Sequence, residues 1–537
     1  MDWFSDFQTV HFFPLFTIIL IVLFFLYYFR GIKPKAGTAE WIEIDSAMFN
    51  KAFLLPRHNM TKKDILPLAL ILSVFLFLGI FNLGDTNEVN VLYEADNPRV
   101  GVTHNDGLYF DEVHFVRTSV QHLGHMYLAT GRTLDVPIAL ELVEYGVIFE
   151  WTHPPLGKDI IAASILTFGM TPFGWRMFGA IFGVLLLAVM YVFIKNMFGK
   201  TIIATCGTLL LSFDFMRFVQ SRIGTVDIFL IFFILTSFFF MYRYITTDGN
   251  AVFRKSLLPL AFSGLFFGLA VSIKWIGLYA GVGLLIIYII RQVKLFFHYR
   301  DNKLKGFGEY FTKTIIFSFL FFVIIPATIY YISYIPYGHS LRMTLADGML
   351  FDSRFFDIFW RNQNSMFSYH AYLEAEHPFT SVWWQWLLNI RPILFVNDHV
   401  DGLRATFGSF GNPVIYWAGL IAIITMIVRM FTRAGRRDDK SLFIIIGYFC
   451  GLLPWIFIGR ILFAYHYFPS SLFLILALCH VLNTILERKK ALHKTIVCAF
   501  TVYTGLIFLI FLPSLSGMFM PNWYYEYFIR WLPEWPF

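Results

Sequence analysis

Repeated apolar runs, most of them close to 20 residues long, constrain the fold of this chain more than any other feature of its sequence. A helix needs about 20 apolar residues to cross the hydrocarbon core of a bilayer. The composition agrees, since 58% of the residues are hydrophobic and only 14% are charged, against roughly 25% charged residues in soluble domains. A soluble enzyme, a disordered chain and a disulfide-stapled secreted domain are therefore excluded, and the sequence predicts an all-α polytopic membrane protein.

About twelve membrane spans are predicted along the 537 residues. The 200–216 and 257–273 runs are short for a bilayer, so we expect one of them to be broken or tilted. The approximate bounds of all the spans are 10–29, 65–83, 174–194, 200–216, 226–244, 257–273, 275–291, 314–335, 412–431, 441–459, 463–486 and 494–514.

Basic residues are distributed unevenly between the two sides of the predicted spans. With the N-terminus outside, the inner connections hold 27 of the 42 Lys and Arg residues but only 10 of the 35 Asp and Glu residues. Cytoplasmic loops show this excess of positive charge, so it sets the predicted orientation. The basic pI of about 9.0 is therefore a sign of topology, and no nucleic-acid partner is expected. These inner connections are 30–64, 195–200, 243–256, 291–313, 429–440 and 487–494.

Two long connections, 84–173 and 336–411, fall on the same outer face and divide the chain into regions. The second connection has only about 76 residues, too few for an additional β-trefoil domain besides the connecting chain. The predicted regions are an N-terminal anchor with a cytoplasmic linker (1–64), a catalytic module (65–335) that contains the first loop, the second loop (336–411), a four-helix C-terminal module (412–514) and an outer tail (515–537).

The first outer loop carries adjacent carboxylates, Asp111 and Glu112. One carboxylate of such a pair is suited to accept a proton while the other orients a partner or tunes its pKa. The alternative is a solvated helix start, where acidic residues are favoured by the helix dipole.

Three more residues in this region are suited to an anion at the membrane surface. His153 is followed by two prolines, which keep the chain extended, so a helix is expected to begin at Leu156 and to lie flat on the surface. Lys158 then lies at the water–lipid boundary, where a lipid-linked phosphate also lies. Arg176 lies near a helix N-terminus, which favours anions. The alternatives are that Lys158 extends to the interface and that Arg176 is a plain anchor.

Further polar and aromatic residues accompany the later outer turns. Arg222 and Lys274 are charged residues close to apolar runs, where a charge usually needs a partner or a ligand; for Arg222 the alternative is a pair with Asp227. The aromatic clusters are suited either to stacking on a sugar or to a membrane-interface belt, the default. The candidate acceptor or sugar contacts among them are Tyr369, His370, Trp383, Trp384, Tyr465 and His466.

Several of these motifs, in this order, resemble the protein O-mannosyltransferase family. The resemblance extends over roughly residues 62–514, and the stretch from 369 to 392 is similar to the C-terminal module of bacterial members. The other motifs are Phe110-Asp111-Glu112, Thr152-His153-Pro154-Pro155-Leu156-Gly157-Lys158, Phe173-Gly174-Trp175-Arg176, Gln220-Ser221-Arg222, Ser272-Ile273-Lys274-Trp275 and Tyr465-His466-Tyr467-Phe468-Pro469.

The resemblance implies a GT-C fold and inverting transfer of mannose from a polyprenyl phosphate to Ser or Thr of a protein at the extracytoplasmic face of a bacterial plasma membrane. Asp111 is then the base and Glu112 its support or an acceptor contact. Arg176 and Lys274 hold the donor phosphate. Second phosphate contacts are expected at Lys158, His153 and Arg222. No metal ion or cofactor is expected to be required, since fixed cations supply the electrostatic stabilisation.

Two other functions compete with this one. Another GT-C enzyme would move a lipid-linked sugar to a lipid or a cell-wall glycan, and neither composition nor topology separates it from a protein mannosyltransferase. A non-enzymatic carrier for a lipid-linked sugar would place charges at mid-helix in both halves of the chain. The sequence instead concentrates its acids at one face, which favours an enzyme.

Overall fold

The computed structural model describes residues 12–30, 58–84, 108–131, 143–247, 253–432, 438–488 and 491–537. The predicted cytoplasmic linker falls mainly in 31–57, outside the described residues, as do the stretches 85–107 and 132–142 of the first outer loop.

Helices make up most of the described chain. Those of the first half are α1 (Phe12–Arg30), α2 (Lys62–Ile80), α3 (Glu112–Thr130), α4 (Leu156–Phe168), α5 (Pro172–Phe198), α6 (Thr201–Ser212), α7 (Phe215–Gln220), α8 (Asp227–Ile245), α9 (Phe253–Val271) and α10 (Ile276–Asp301). Those of the second half are α11 (Phe307–Phe319), α12 (Ile325–Ile332), α13 (Ile335–Ser340), α14 (Ser353–Tyr372), α15 (Trp383–Leu387), α16 (Pro413–Met430), α17 (Asp439–Leu452), α18 (Phe468–Leu486), α19 (Ala491–Ser516) and α20 (Asn522–Tyr524).

The predicted spans correspond to helices. Within the described ranges, ten helical stretches are long and apolar enough to cross a membrane, and two shorter apolar helices stand at Thr201–Ser212 and Ser256–Val271. These two are the runs expected to be short. The first of them is broken, because Asp214 accepts a hydrogen bond from the backbone N–H of Arg217 and so begins the separate helix α7. The surface helix expected from Leu156 to about Phe168 has these same bounds.

Local sequence signals explain where helix α5 begins and ends. The Thr171 hydroxyl accepts a hydrogen bond from the N–H of Gly174, and Pro172 occupies the first helical position, where its missing N–H costs nothing. At the other end Gly199 takes the left-handed conformation that closes many helices. The helix therefore spans 27 residues without interruption.

Helices α8 and α18 form the centre of the bundle. They are 83% and 89% buried along their apolar windows, whereas the continuous stretch Phe307–Ser340 is only 11% buried and lies at the periphery. Because a helix that is apolar all round and exposed on most of its surface needs an apolar surrounding, the peripheral helices face lipid. The chain is a multi-pass membrane protein.

Two basic residues of α5 mark the two ends of the bundle. Arg176 lies in the first turn of α5, and Lys195, in its last turn, forms an ion pair with Asp64 at the start of α2. These 19 steps along the helix correspond to about 28 Å, close to the thickness of the hydrocarbon core. Two further ion pairs gather connections predicted to be cytoplasmic at the Lys195 end, namely Lys200–Glu487 and Lys294–Asp439.

A small antiparallel sheet in the second outer loop adds strands to a fold predicted as all-α. Strands β1 (Ile393–Val400) and β2 (Leu403–Ser409) form a hairpin, and β3 (Met520–Pro521) from the C-terminal tail pairs with β2. The hairpin turns at Asp401 and Gly402, both with positive φ, as a type I′ turn requires. The sheet thereby joins the second loop to the tail.

The N-terminal helix α1 packs on the C-terminal module. The Phe24 ring stacks on that of Phe500 with 4.7 Å between centroids, and the Arg429 guanidinium donates a hydrogen bond to the Tyr28 hydroxyl at 2.7 Å. These side-chain contacts join α1 to α16 and α19.

Close packing between α17 and α18 predicts a specific sensitivity. A Cβ atom on Gly447 would lie 2.0 Å from the ring of Phe473, which is itself buried against Phe238. We expect Gly447→Ala to destabilise the protein by about 1–3 kcal/mol through overpacking, measured as a lower thermal unfolding temperature in detergent. Gly308→Ala is the control, because a Cβ there meets nothing within 4 Å. Equal unfolding temperatures for the two variants would contradict the packing described for α17.

Candidate active site

A cavity of about 810 Å³ lies at the Arg176 end of the bundle. Its walls come from the start of α3, the segment 149–153, the start of α10, the end of α14 and the segment 455–466. The start of α3, the segment 149–153 and the end of α14 belong to the two predicted outer loops, whereas the start of α10 and the segment 455–466 belong to later turns. The cavity brings together seven of the residues singled out in the sequence: Asp111, His153, Lys274, Tyr369, His370, Tyr465 and His466.

Asp111 begins α3 and presents its carboxylate to the cavity. Within the described part of the chain it accepts no hydrogen bond and forms no ion pair at its side chain. Burial raises the pKa of Asp111 to about 7; the nearby Lys274 opposes this rise, and Asp227 and Glu150 add to it. A carboxyl group with this pKa exchanges its proton near neutral pH, as a general base does.

The backbone before this carboxylate is strained. Phe110 has a φ of +46°, in the left-handed region that non-glycine residues rarely adopt. Its ring stacks on Phe395 of β1 at 4.8 Å and meets the rings of His377 and Phe463 edge-on. The second loop and the segment before α18 therefore hold the residue next to Asp111 in place.

Glu112 and Arg176 form a fully buried ion pair directly behind Asp111. Two guanidinium nitrogens of Arg176 donate to the two Glu112 carboxylate oxygens, each at 2.7 Å. The same oxygens accept hydrogen bonds from the backbone N–H groups of Gly224 and Tyr109, at 2.6 and 2.8 Å. Arg176, predicted to hold the donor phosphate, is thus turned onto Glu112, and neither side chain lines the cavity. The pair thereby ties the backbone around Asp111 to α5 and to the turn before α8.

Lys158 is likewise engaged within the protein. Its ammonium group donates to the Glu150 carboxylate at 2.6 Å and to the carbonyl oxygens of Glu150 and His153 at 2.9 and 2.8 Å. All three of its donors are used and the side chain has no exposed surface. Burial raises the pKa of Glu150. The charge and hydrogen bond of Lys158, with the hydrogen bonds of Thr152, outweigh burial and hold that pKa below its ordinary value.

The cations of the later turns have different partners from those expected. Arg222 donates to the carbonyl oxygens of residues 78, 79 and 81 at the end of α2, and does not pair with Asp227. Asp227 instead pairs with Lys274, whose ammonium group lies 2.9 Å from both carboxylate oxygens. Lys274 remains on the cavity wall, 5.7 Å from the rings of Phe115 and Tyr465.

Two histidines form one side of the cavity. The His153 ring stacks between those of Phe115 and His370, and His370 Nε2 donates to the carbonyl oxygen of Thr152 at 2.9 Å. Burial, with the nearby cations, lowers the pKa of His153 well below its ordinary value and that of His370 to about 4. Both rings are therefore neutral at pH 7. The Nδ1 atom of His370 is buried and has no partner among the described groups, so it is available to accept a hydrogen bond.

The remaining aromatic candidates separate into two groups. Tyr369, Tyr465 and His466 line the acid cavity, whereas Trp383 and Trp384 line a second cavity of about 420 Å³. The rings of Tyr465 and His466 stack at 4.8 Å. The tryptophans are thus not neighbours of the Asp111 carboxylate in the cavity.

Sequence reasoning assigned no role to Arg460, which lines both cavities. The sequence also did not indicate that Glu150 pairs with Lys158 and that Asp227 pairs with Lys274. The signal for Arg460 was its position in a predicted outer turn, just before Ala464-Tyr465-His466. What the sequence does not contain is which acid neutralises which cation, because those partners lie in segments far apart along the chain.

Comparison with known proteins places this site in a family context. A model described as dolichyl-phosphate-mannose-protein mannosyltransferase matches residues 102–337. A second, described as the C-terminal four TMM region of protein-O-mannosyltransferase, matches residues 355–535. Together the two matched ranges cover most of the chain and contain every residue that lines the acid cavity.

Individual relatives agree with the family models. The polyprenol-phosphate-mannose–protein mannosyltransferase of Corynebacterium glutamicum is 28% identical over 442 residues, which cover 73% of this chain and 82% of that protein. The Mycobacterium tuberculosis protein of the same name is 24% identical over 447 residues, with 73% and 81% coverage. The structure of the Saccharomyces cerevisiae protein O-mannosyltransferase Pmt1-Pmt2 complex bound to the sugar donor matches with a TM-score of 0.70 and 14% identity, over 94% of this chain and 97% of that chain. It therefore has the same fold.

The buried pair behind Asp111 generates a prediction about stability. Arg176→Gln leaves the Glu112 carboxylate buried without its cation, so we expect a loss of about 3–5 kcal/mol in the free energy of unfolding, measured by thermal unfolding in detergent. Arg354→Gln is the control, because Arg354 pairs with Asp352 at an exposed surface site and its loss is not expected to change the unfolding temperature. If Arg176→Gln has normal stability and a raised KM for the donor, Arg176 would instead bind the donor phosphate, as the sequence analysis expected.

Proposed function

Since the chain belongs to the protein O-mannosyltransferase family and has the GT-C fold, we propose that it transfers mannose from a polyprenyl-phosphate donor to Ser or Thr hydroxyls of proteins. The observation that carries this proposal is the Asp111 carboxylate, which lacks a partner among the described residues and faces a large cavity beside Lys274. A transferase of this kind needs one base and fixed positive charge, and the cavity contains both.

In the proposed reaction the Asp111 carboxylate takes the proton of the acceptor hydroxyl. The hydroxyl oxygen then forms a bond to C1 of the sugar while the bond from C1 to the phosphate oxygen breaks, with inversion at C1. The electron pair of that bond leaves with the polyprenyl phosphate. General-base assistance of this type contributes about 10²–10⁴-fold to the rate, and nearby cations stabilise the negative charge that develops on the phosphate.

The other residues take roles that follow from their contacts. Lys274, held by Asp227, is the cation of the predicted set that still faces the cavity. His153 and His370 are neutral and suited to bind sugar hydroxyls or the acceptor. Glu112 and Arg176 are positioning residues for Asp111.

Lys158 and Arg222 have a supporting role as well. The ammonium group of Lys158 fixes the segment Glu150–His153, and the guanidinium of Arg222 fixes the end of α2, so each stabilises a wall or a neighbour of the cavity. Neither is proposed to contact the donor.

We place the reaction at the extracytoplasmic face of a bacterial plasma membrane. Three ion pairs gather basic connections at the end of the bundle opposite Asp111, and basic connections are typical of the cytoplasmic side. The lipid tail of the donor would remain in the bilayer while its sugar phosphate reaches the outer cavity.

Another GT-C transferase, one that delivers the sugar to a lipid or a cell-wall glycan, is separated from this proposal by its product. Membranes containing the protein are incubated with radiolabelled polyprenyl-phosphate mannose, and the label is followed into protein. We expect protein-bound label that mild alkali releases by β-elimination, the behaviour of a sugar on Ser or Thr. Label found only in lipid or glycan would refute protein transfer.

Replacing the proposed base tests the mechanism. Asp111→Asn keeps the size of the side chain but cannot accept the proton, so we expect transfer to fall by at least about 10²-fold while the protein still inserts and unfolds at the wild-type temperature. Asp357→Asn, an exposed residue of α14, is the matched control and retains wild-type transfer. Full activity of Asp111→Asn would remove this residue from the mechanism.

The raised pKa of Asp111 predicts a pH dependence. Only the carboxylate form is a base, and burial raises the pKa of this group to about 7. We therefore expect kcat/KM to fall about tenfold per pH unit below 7 and to level off above it, measured with the purified enzyme at constant ionic strength. A profile that is flat between pH 5 and pH 7 would contradict the assignment.

A further inference from the structure

The acid cavity shares a wall with the second cavity, which the proposed reaction does not yet use. Trp455, Ile458, Arg460 and Ile461 line both spaces. The acid cavity holds Asp111 and Lys274, whereas the second is bounded largely by tryptophan and aliphatic side chains. A ligand that occupies both would place a polar part against the acid and an apolar part among the tryptophans.

Arg460 is the cation at this wall, and no acid of the described ranges pairs with it. Its guanidinium makes one hydrogen bond, to the carbonyl oxygen of Ile461 at 3.3 Å, and in the described chain it forms no ion pair. Burial lowers the pKa of Arg460, and the nearby hydroxyl groups of Tyr465, Tyr369 and Tyr279 oppose this fall. By contrast, Arg176, Lys158 and Lys274 each have a carboxylate partner.

Two further hydrogen-bond donors that line the second cavity have no partner among the described groups. Trp455 is 2% exposed and its indole Nε1–H is unpaired, as is the buried hydroxyl of Thr380 in the second cavity. An unpaired buried donor costs free energy unless a ligand or water satisfies it. A guanidinium and two neutral donors together form a set suited to an oxyanion.

The far side of the second cavity is continuous with a lipid-facing surface. Ile456 lines the cavity and is 41% exposed, and the adjoining Phe457, at the end of a predicted span, is 85% exposed. Trp384, which also lines this cavity, is 47% exposed. An apolar chain lying in this cavity therefore has a direct route into the bilayer.

We propose that Arg460, Trp455 and Thr380 bind the phosphate of the polyprenyl donor, and that the cavity beside Trp383 and Trp384 holds its first isoprene units. The inference rests on the proposed function and deepens it. The sugar then extends past Arg460 toward Asp111, and the leaving phosphate stays on a cation that pairs with no carboxylate of the described residues. Arg460 thereby takes the role that the sequence assigned to Arg176.

Direct binding to the purified full-length protein tests this assignment without turnover. The probes are farnesyl phosphate, farnesol and inorganic phosphate, with dissociation constants measured by tryptophan fluorescence or by thermal shift in detergent. Arg460→Gln is expected to weaken farnesyl phosphate binding at least tenfold and to leave farnesol binding unchanged. Arg460→Lys, which keeps the charge, is expected to recover part of the loss. Trp384→Ala is expected to weaken the binding of farnesyl phosphate and of farnesol to the same extent. Inorganic phosphate is expected to bind far more weakly than farnesyl phosphate.

Arg361→Gln is the matched control, because Arg361 is an exposed arginine of α14 and should bind all three probes as wild type does. Unchanged farnesyl phosphate binding by Arg460→Gln would overturn the proposal, as would equal binding of inorganic phosphate. An increase only in the KM for an acceptor peptide would assign the second cavity to the acceptor and likewise overturn it. If wild-type protein binds farnesyl phosphate through Arg460 yet labels no protein, the phosphate site stands and the proposed function fails.

Discussion

The buried ion pair between Glu112 and Arg176 is the interaction on which the site depends. It joins the start of α3, the first turn of α5 and, through the N–H of Gly224, the turn before α8. A charged pair is stable in so dry an environment only when every polar atom has a partner, and four hydrogen bonds to one carboxylate meet that condition. The adjacent position, residue 111, is consequently fixed in space while its own side chain stays available for chemistry.

The same principle organises the other charges around the cavity. Three acids are matched to three cations: Glu112 to Arg176, Glu150 to Lys158 and Asp227 to Lys274. Each pair ties segments together and is largely neutral toward its surroundings. Among the described residues of the cavity wall, one acid, Asp111, and one cation, Arg460, form no such pair. An acceptor hydroxyl at Asp111 and the phosphate of a donor sugar at Arg460 would engage both residues at once.

Much of the fold was predictable because its signals are local. The double proline before Leu156 sets the start of α4, Thr171-Pro172 and Gly199 delimit α5, and length with hydropathy marks the spans. The hairpin was not predicted, although Asp401-Gly402 between apolar residues is a strong local signal for one. Most residues of the candidate site were predicted, but the ion pairs that they form were not. Lys274 and Asp227, or Arg176 and Glu112, are brought together only by tertiary packing, and the choice among several cations for each acid is made by distances that no spacing along the chain encodes.

The left-handed conformation of Phe110 has a consequence for how the molecule is divided. Such a conformation costs about 1–3 kcal/mol in a non-glycine residue, and here the compensating ring contacts come from Phe395, His377 and Phe463, all beyond residue 350. Asp111 belongs to the N-terminal half, yet the residue before it is held in its conformation by rings of the C-terminal half. Two fragments synthesised separately would each contain complete helices, but the ring contacts around Phe110 would form only when the fragments reassociate. Activity would therefore measure how completely the two halves have joined.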